Sequence, residues 1–93
     1  MQPGAYLTKP LIKICCVQSI AEARTVIKAG ASAIGLVSAM PSGPGVIDEA
    51  LIAEIASAVP APVETFLLTS EQVASRIIEQ HHICRTTTIQ LGD

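Results

Sequence analysis

Four short apolar runs recur along this chain with a helical stretch between each pair, and that alternation restricts the fold more than any other feature. The runs are LIKIC (11–15), SAIGLVS (32–38), PVETFLLT (62–69) and TTTIQL (86–91). Each has the length of a strand and is bounded by turn or helix signals. Ser19 and Glu22 stand at capping-box spacing, where the hydroxyl can accept from an orphan amide while the carboxylate reaches back to the cap residue's own amide. The helix they open is expected to run to about Ala29, with Gly30 free to adopt a left-handed stop. Asp48 suits the N-cap of a second helix that ends before Pro60, and Thr69 with Gln72 offers another capping box for a third, TSEQVASRIIEQ. The predicted order is β-α-β-α-β-α-β. Strand centres recurring about every 23 to 30 residues imply parallel strands joined by right-handed crossovers. An open α/β sheet and part of a (βα)8 barrel both fit. In either, ligands gather at the carboxyl ends of strands, here just after positions 15, 38, 68 and 91.

The strands need to be buried on both faces, and the composition supplies this: 49% of the 93 residues are hydrophobic, with one Phe and one Tyr, so Ala, Ile, Leu and Val build the interior. Ninety-three residues make one domain or part of one. We read residues 1–93 as a single partial domain, with 1–10 as a lead-in. Six basic residues scattered through a chain of net charge −2 form no stripe for phosphates, which argues against a nucleic-acid partner. No apolar run approaches the ~20 residues that span a bilayer, and MQPGAYLTKP lacks a signal peptide's apolar core. A cytoplasmic location is expected. Three cysteines, an odd number with two adjacent, make no disulfide framework and fit that reducing setting.

The adjacent pair, Cys15 and Cys16, closes the first strand at its carboxyl end. Alternation along the strand sends Ile12, Ile14 and Cys16 to one face and Lys13 with Cys15 to the other. The isoleucine face packs on helices. HHIC (81–84) invites a metal reading, but it precedes the fourth strand and so lies at the opposite end of the sheet from Cys15 and Cys16, more than ~12 Å away. His81, His82 and Cys84 match no usual zinc spacing, and no metal is expected. PSGPGVI (41–47) lacks the P-loop lysine and the dinucleotide fingerprint, so an ordinary turn is the better account of its glycines.

KICC (13–16), the helix opening SIAEA, AGASAIGLV (29–37), GPGVI after the second strand and IQLGD at the end resemble, in that order and spacing, the N-terminal half of phosphoribosylanthranilate isomerase. The resemblance covers about Leu11 to Asp93. It implies the first half of a TIM barrel, and an Amadori rearrangement of N-(5-phosphoribosyl)anthranilate in tryptophan biosynthesis with neither metal nor cofactor. The family's general base is a Cys at the end of strand one, a role that maps onto Cys15. Lys13, on the same face, is a plausible support, since an ammonium nearby favours a thiolate; equally, it can extend to solvent. Cys16 stands where the family has Gly and reads as a packing residue. Gly45 stands where the family carries an Arg that contacts the anthranilate part, and Val46 where an aromatic follows. Gln90 matches the family's fourth-strand Gln and is expected to face the barrel axis with Thr88 as a substrate-lining residue.

A complete barrel needs eight strands and about 250 residues, twice the strands present here. In the family the general acid comes from strand six and the phosphate is held after strands seven and eight, so neither function can be assigned to a residue of this chain. A half barrel leaves two edges and an apolar inner face in water. The expected partners are therefore a small phosphosugar substrate and either a second copy or a missing C-terminal half. A non-catalytic, self-associating module and an isomerase of another phosphosugar amine are the alternative readings.

Overall fold

The computed structural model describes residues 11–41 and 44–92; the lead-in expected over 1–10 lies outside the described residues. The elements alternate as the sequence predicts: β1 (Lys13–Ile14), α1 (Ile20–Lys28), β2 (Ala33–Val37), α2 (Glu49–Ala58), β3 (Glu64–Thr69), α3 (Ala74–Cys84) and β4 (Thr88–Leu91). They form one four-stranded sheet in the order β1-β2-β3-β4, and every neighbouring pair is parallel. Lys13 pairs with Ala33, Gly35 with Phe66, and Phe66 with Thr88. Paired residues share a face, so this register sorts the side chains into two sets.

One set packs under the helices. Ile34, Leu36 and Leu67 are fully buried there against Ile52 and Ile55 of α2, with Ala23 of α1 and Cys84 of α3 completing the cluster. Full burial of each Ile or Leu contributes about 1.5–3 kcal/mol. The other set, Lys13, Ala33, Gly35, Val37, Phe66, Leu68, Thr88 and Gln90, forms the opposite face.

Local chemistry fixes the helix ends. Ser19 Oγ accepts from the Glu22 amide at 3.0 Å, and Glu22 Oε1 accepts from the Gln18 amide at 2.7 Å, one residue before the expected cap amide. At the other end Ala31 N–H donates to Val26 O and Gly30 N–H to Ile27 O, with Gly30 at φ +114. This is a Schellman stop, and glycine reaches that φ without a Cβ penalty. Asp48 Oδ1 accepts from the Leu51 amide at 2.8 Å.

Beyond strand ends that shift by one or two residues, three boundaries differ from the sequence reading. The strand expected over 11–15 is reduced to Lys13–Ile14, because Cys16 adopts φ 62 and ends the extended backbone. No capping box forms between Thr69 and Gln72: β3 continues through Thr69, whose hydroxyl accepts from the Glu71 amide, and α3 starts five residues later behind Val73 with no side-chain cap. That helix also runs past Gln80 and absorbs HHIC. His81 Nε2 is hydrogen-bonded to the Thr86 carbonyl, and Cys84 is wholly buried.

Candidate active site

The carboxyl end of β1 is built by three departures from regular strand. Ile14 is the last residue in the ladder, Cys15 follows it, and Cys16 turns left-handed before Val17 N–H returns to Gly35 O at 3.2 Å. Cys15 remains on the face of Lys13. Its sulfur lies over Gly35 of β2, where a Cβ would sit 2.9 Å from Cys15 Sγ and 3.2 Å from Leu68 Cδ1. Any side chain at 35 would displace the thiol. Cys15 is itself exposed, so the sulfur is supported from beneath and open above.

Lys13, one step lower, reaches across the sheet. Its ammonium sits 4.6 Å from the centroid of the Phe66 ring and donates to Gln90 Oε1 on β4. A cation over an aromatic face with an amide oxygen beside it is held by two attractions from two strands. The face thus carries a thiol, an ammonium and a carboxamide from β1 and β4, floored by Gly35, Phe66 and Leu68.

Cys16 does not face the helices as alternation predicts. The left-handed backbone swings its side chain toward the loop after β2, where its Sγ lies 3.5 Å from Pro44 O. An L-residue there costs about 1–2 kcal/mol relative to glycine. Burial first, then the neighbouring Cys15, pushes the Cys16 thiol above its ordinary range. Burial also drives Cys84 up, to about 11, with Glu49 adding to it. Cys84 is thereby a neutral core residue, and among the described residues no three His, Cys, Asp or Glu side chains gather as a metal set.

Beside β1 runs a groove of about 370 Å³, lined by the stretch from Ile14 to Val17 and by Ala21, Thr25 and Val26 of α1. It lies at the sheet's outer edge, where among the described residues β1 pairs only with β2. At the far edge Leu91 is 68% exposed, and Ile78 and Ile83 of α3 are open as well. Among the described residues no helix is long and apolar enough to cross a membrane.

No family model matches the chain. It is 36% identical over 81 residues to the N-(5′-phosphoribosyl)anthranilate isomerase of Halorubrum lacusprofundi, an alignment covering 86% of this chain and 38% of that protein. Its fold superposes on the phosphoribosylanthranilate isomerase of Thermotoga maritima with a TM-score of 0.81 at 20% identity, over 89% of this chain and 40% of the other. A second structure, of a phosphoribosyl anthranilate isomerase in complex with reduced 1-(o-carboxyphenylamino)-1-deoxyribulose 5-phosphate, gives 0.81 at 20% identity over 89% and 42%. The chain belongs to the phosphoribosylanthranilate isomerase family. It spans about two fifths of the length of these relatives, and supplies four parallel strands of a fold that has eight.

Against the phosphoribosylanthranilate isomerase pattern, the structure brings Cys15, Lys13 and Gln90 to one face. Gly45 sits instead on the loop beyond β2 at φ +82, directly against Cys16. Two residues of the face escaped the sequence reading. Gly35 carried a signal, since a lone glycine inside a buried strand marks a close approach. Phe66 carried only its rarity, as the one Phe of the chain.

Proposed function

We propose that this chain is the base-bearing half of a phosphoribosylanthranilate isomerase-type barrel, acting on a small phosphosugar amine in the cytoplasm. The observation that supports it is the seat of Cys15: an open thiol on the inner face at the strand's carboxyl end, given room by Gly35. In the Amadori rearrangement of N-(5-phosphoribosyl)anthranilate, acid-assisted ring opening gives an iminium. The Cys15 thiolate removes the C2′ proton, the C–H pair becomes the C1′=C2′ bond, and the iminium nitrogen takes up the displaced pair. Return of a proton to C1′ with loss of the enol proton yields the 1-deoxyribulose phosphate. No electrons leave the system, so no redox cofactor is required. Lys13, held over Phe66, presents its charge to the anionic substrate on this face, and Gln90 fixes the ammonium while its NH2 remains available to a sugar hydroxyl. The acid and the phosphate loops belong to the half that completes the barrel.

The test is to pair this chain with the C-terminal half of the Halorubrum isomerase and follow anthranilate fluorescence. Turnover lost on Cys15→Ser supports the reading; turnover unaffected by it refutes the base assignment.

The open edges of β1 and β4 favour a second reading, a self-associating half barrel with no activity. Sedimentation distinguishes it: a dimer without turnover in any pairing supports it, and a stable monomer excludes it.

A further inference from the structure

Two of the positions at which the chain leaves its family's pattern touch each other. Cys16 is at φ 62 and Gly45 at φ +82, and a Cβ placed on Gly45 would lie 2.7 Å from Cys16 Cβ, 3.1 Å from Cys16 Cα and 3.1 Å from Cys16 Sγ. A separation of 2.7 Å between two carbons is well inside contact, and the obstacle is the first carbon of a side chain anchored to the backbone. It cannot swing aside. The loop is held down on this side by the bridge between Val37 and Val46, and by Ile47 N–H donating to Val37 O at 2.9 Å. Neither partner can retreat without breaking the ladder.

We propose that Cys16 is a specificity-determining residue. Its side chain, seated on Gly45, closes the rim between β1 and the loop after β2 to any side chain at 45, so the ligand group lying there is recognised without a cation from that loop.

Charge along the rim agrees. From Ala39 to Ile47 the sequence contains no Lys, Arg or His, and neither does Cys15 to Ile20. The nearest ammonium in the strand, that of Lys13, is drawn the other way, over Phe66 to Gln90. A carboxylate at this end would meet a thiol whose environment already disfavours negative charge, and the Pro44 carbonyl oxygen. Among the described residues this half offers the group no cation. Resting on the isomerase-type reading above for the identity of the substrate, this names its class: a phosphosugar amine whose amine substituent carries no acid.

The lock and the specificity are tested separately. For the lock, thermal melts under reducing conditions compare the parent chain, Gly45→Ala, Cys16→Gly and the double variant. The left-handed backbone at 45 penalises alanine in both backgrounds, so that penalty cancels in the cycle. Gly45→Ala is expected to lower the midpoint by on the order of 10 °C in the parent and by less than half as much beside Cys16→Gly, where the main chain of residue 16 is the sole remaining obstacle. Equal losses in both backgrounds overturn the lock. Should Gly45→Ala fail to fold in the parent, recovery of cooperative melting in the double variant supports it, and no recovery overturns it.

For the specificity, the chain is paired with a completing half and titrated with reduced phenylamino-deoxyribulose 5-phosphate and its o-carboxy derivative. The parent is expected to favour the uncharged ligand at least tenfold. Cys16→Gly with Gly45→Arg is expected to reverse that preference, and Gly45→Arg alone is not. A parent that prefers the acid, or reversal by Gly45→Arg alone, overturns the proposal. Failure of every variant to bind either ligand rejects the isomerase-type function and the specificity with it, while the melts still decide the lock.

Discussion

The two faces of this sheet obey different rules. On the helix side Ile34, Leu36 and Leu67 are wholly enclosed, and each can be removed only at the cost of a cavity. On the opposite side Lys13, Cys15 and Gln90 stand exposed among the apolar Val37, Phe66 and Leu68, while Gly35 beneath them has no side chain. Stability is concentrated on one face and reactive groups on the other. This separation allows the reactive face to hold a backbone as irregular as Cys15–Cys16 without endangering the core.

If that division is correct, substitutions on the two faces should separate cleanly in their effects. The largest is expected for Cys15→Ser in the completed barrel, a loss of turnover of about 10²–10⁴-fold with an unchanged melting curve, as when a general base is removed. A melt that falls with it would break the division. On the helix side Leu36→Ala should cost about 2–5 kcal/mol in denaturant unfolding. Gly35→Ala tests the meeting of the two regimes: the added methyl, 2.9 Å from Cys15 Sγ, should cost about 1–3 kcal/mol and also slow alkylation of Cys15. Ser19→Ala should cost about 1 kcal/mol by removing the cap of α1, with no effect on thiol reactivity.

The smallest effect at neutral pH belongs to Cys84. Its folded pKa, about 11, is raised above the ordinary 9.0, so the fold favours the neutral thiol. The stabilisation is complete below pH 9 and is lost as pH rises from there through 11. Cys84→Ala should flatten the alkaline limb of the stability curve and leave its value at pH 7 to 8 shifted only by packing. An unaltered alkaline limb would show that the buried thiol does not titrate with unfolding.

Most of the architecture was legible because it is carried by local patterns: apolar runs of strand length, Ser19 with Glu22, Gly30, Asp48 and Pro60. The end of β1 was not, since nothing in a cysteine announces a left-handed backbone. α3 was misplaced because Thr69 with Gln72 has a capping box's composition, whereas the pairing of Thr69 with Leu91 keeps it in the sheet. Alternation correctly put Cys15 with Lys13 and sent Gln90 to the inner face. It failed at Cys16, one residue past the strand, where alternation has no force. The meeting of Cys16 with Gly45 joins residues on different loops and has no sequence signature of its own. Phe66 under Lys13 in the same way joins residues of two different strands.

Val17 N–H, bonded to Gly35 O, has an importance beyond its single hydrogen bond. Together with the Ile14 rung it moors the dithiol stretch at both ends, like a footbridge on two piers, although among the described residues β1 has no neighbour on its outer side. Docking of another strand along that margin would load the bridge from the side. Sulfur placement would thus respond to any strand that docks along β1.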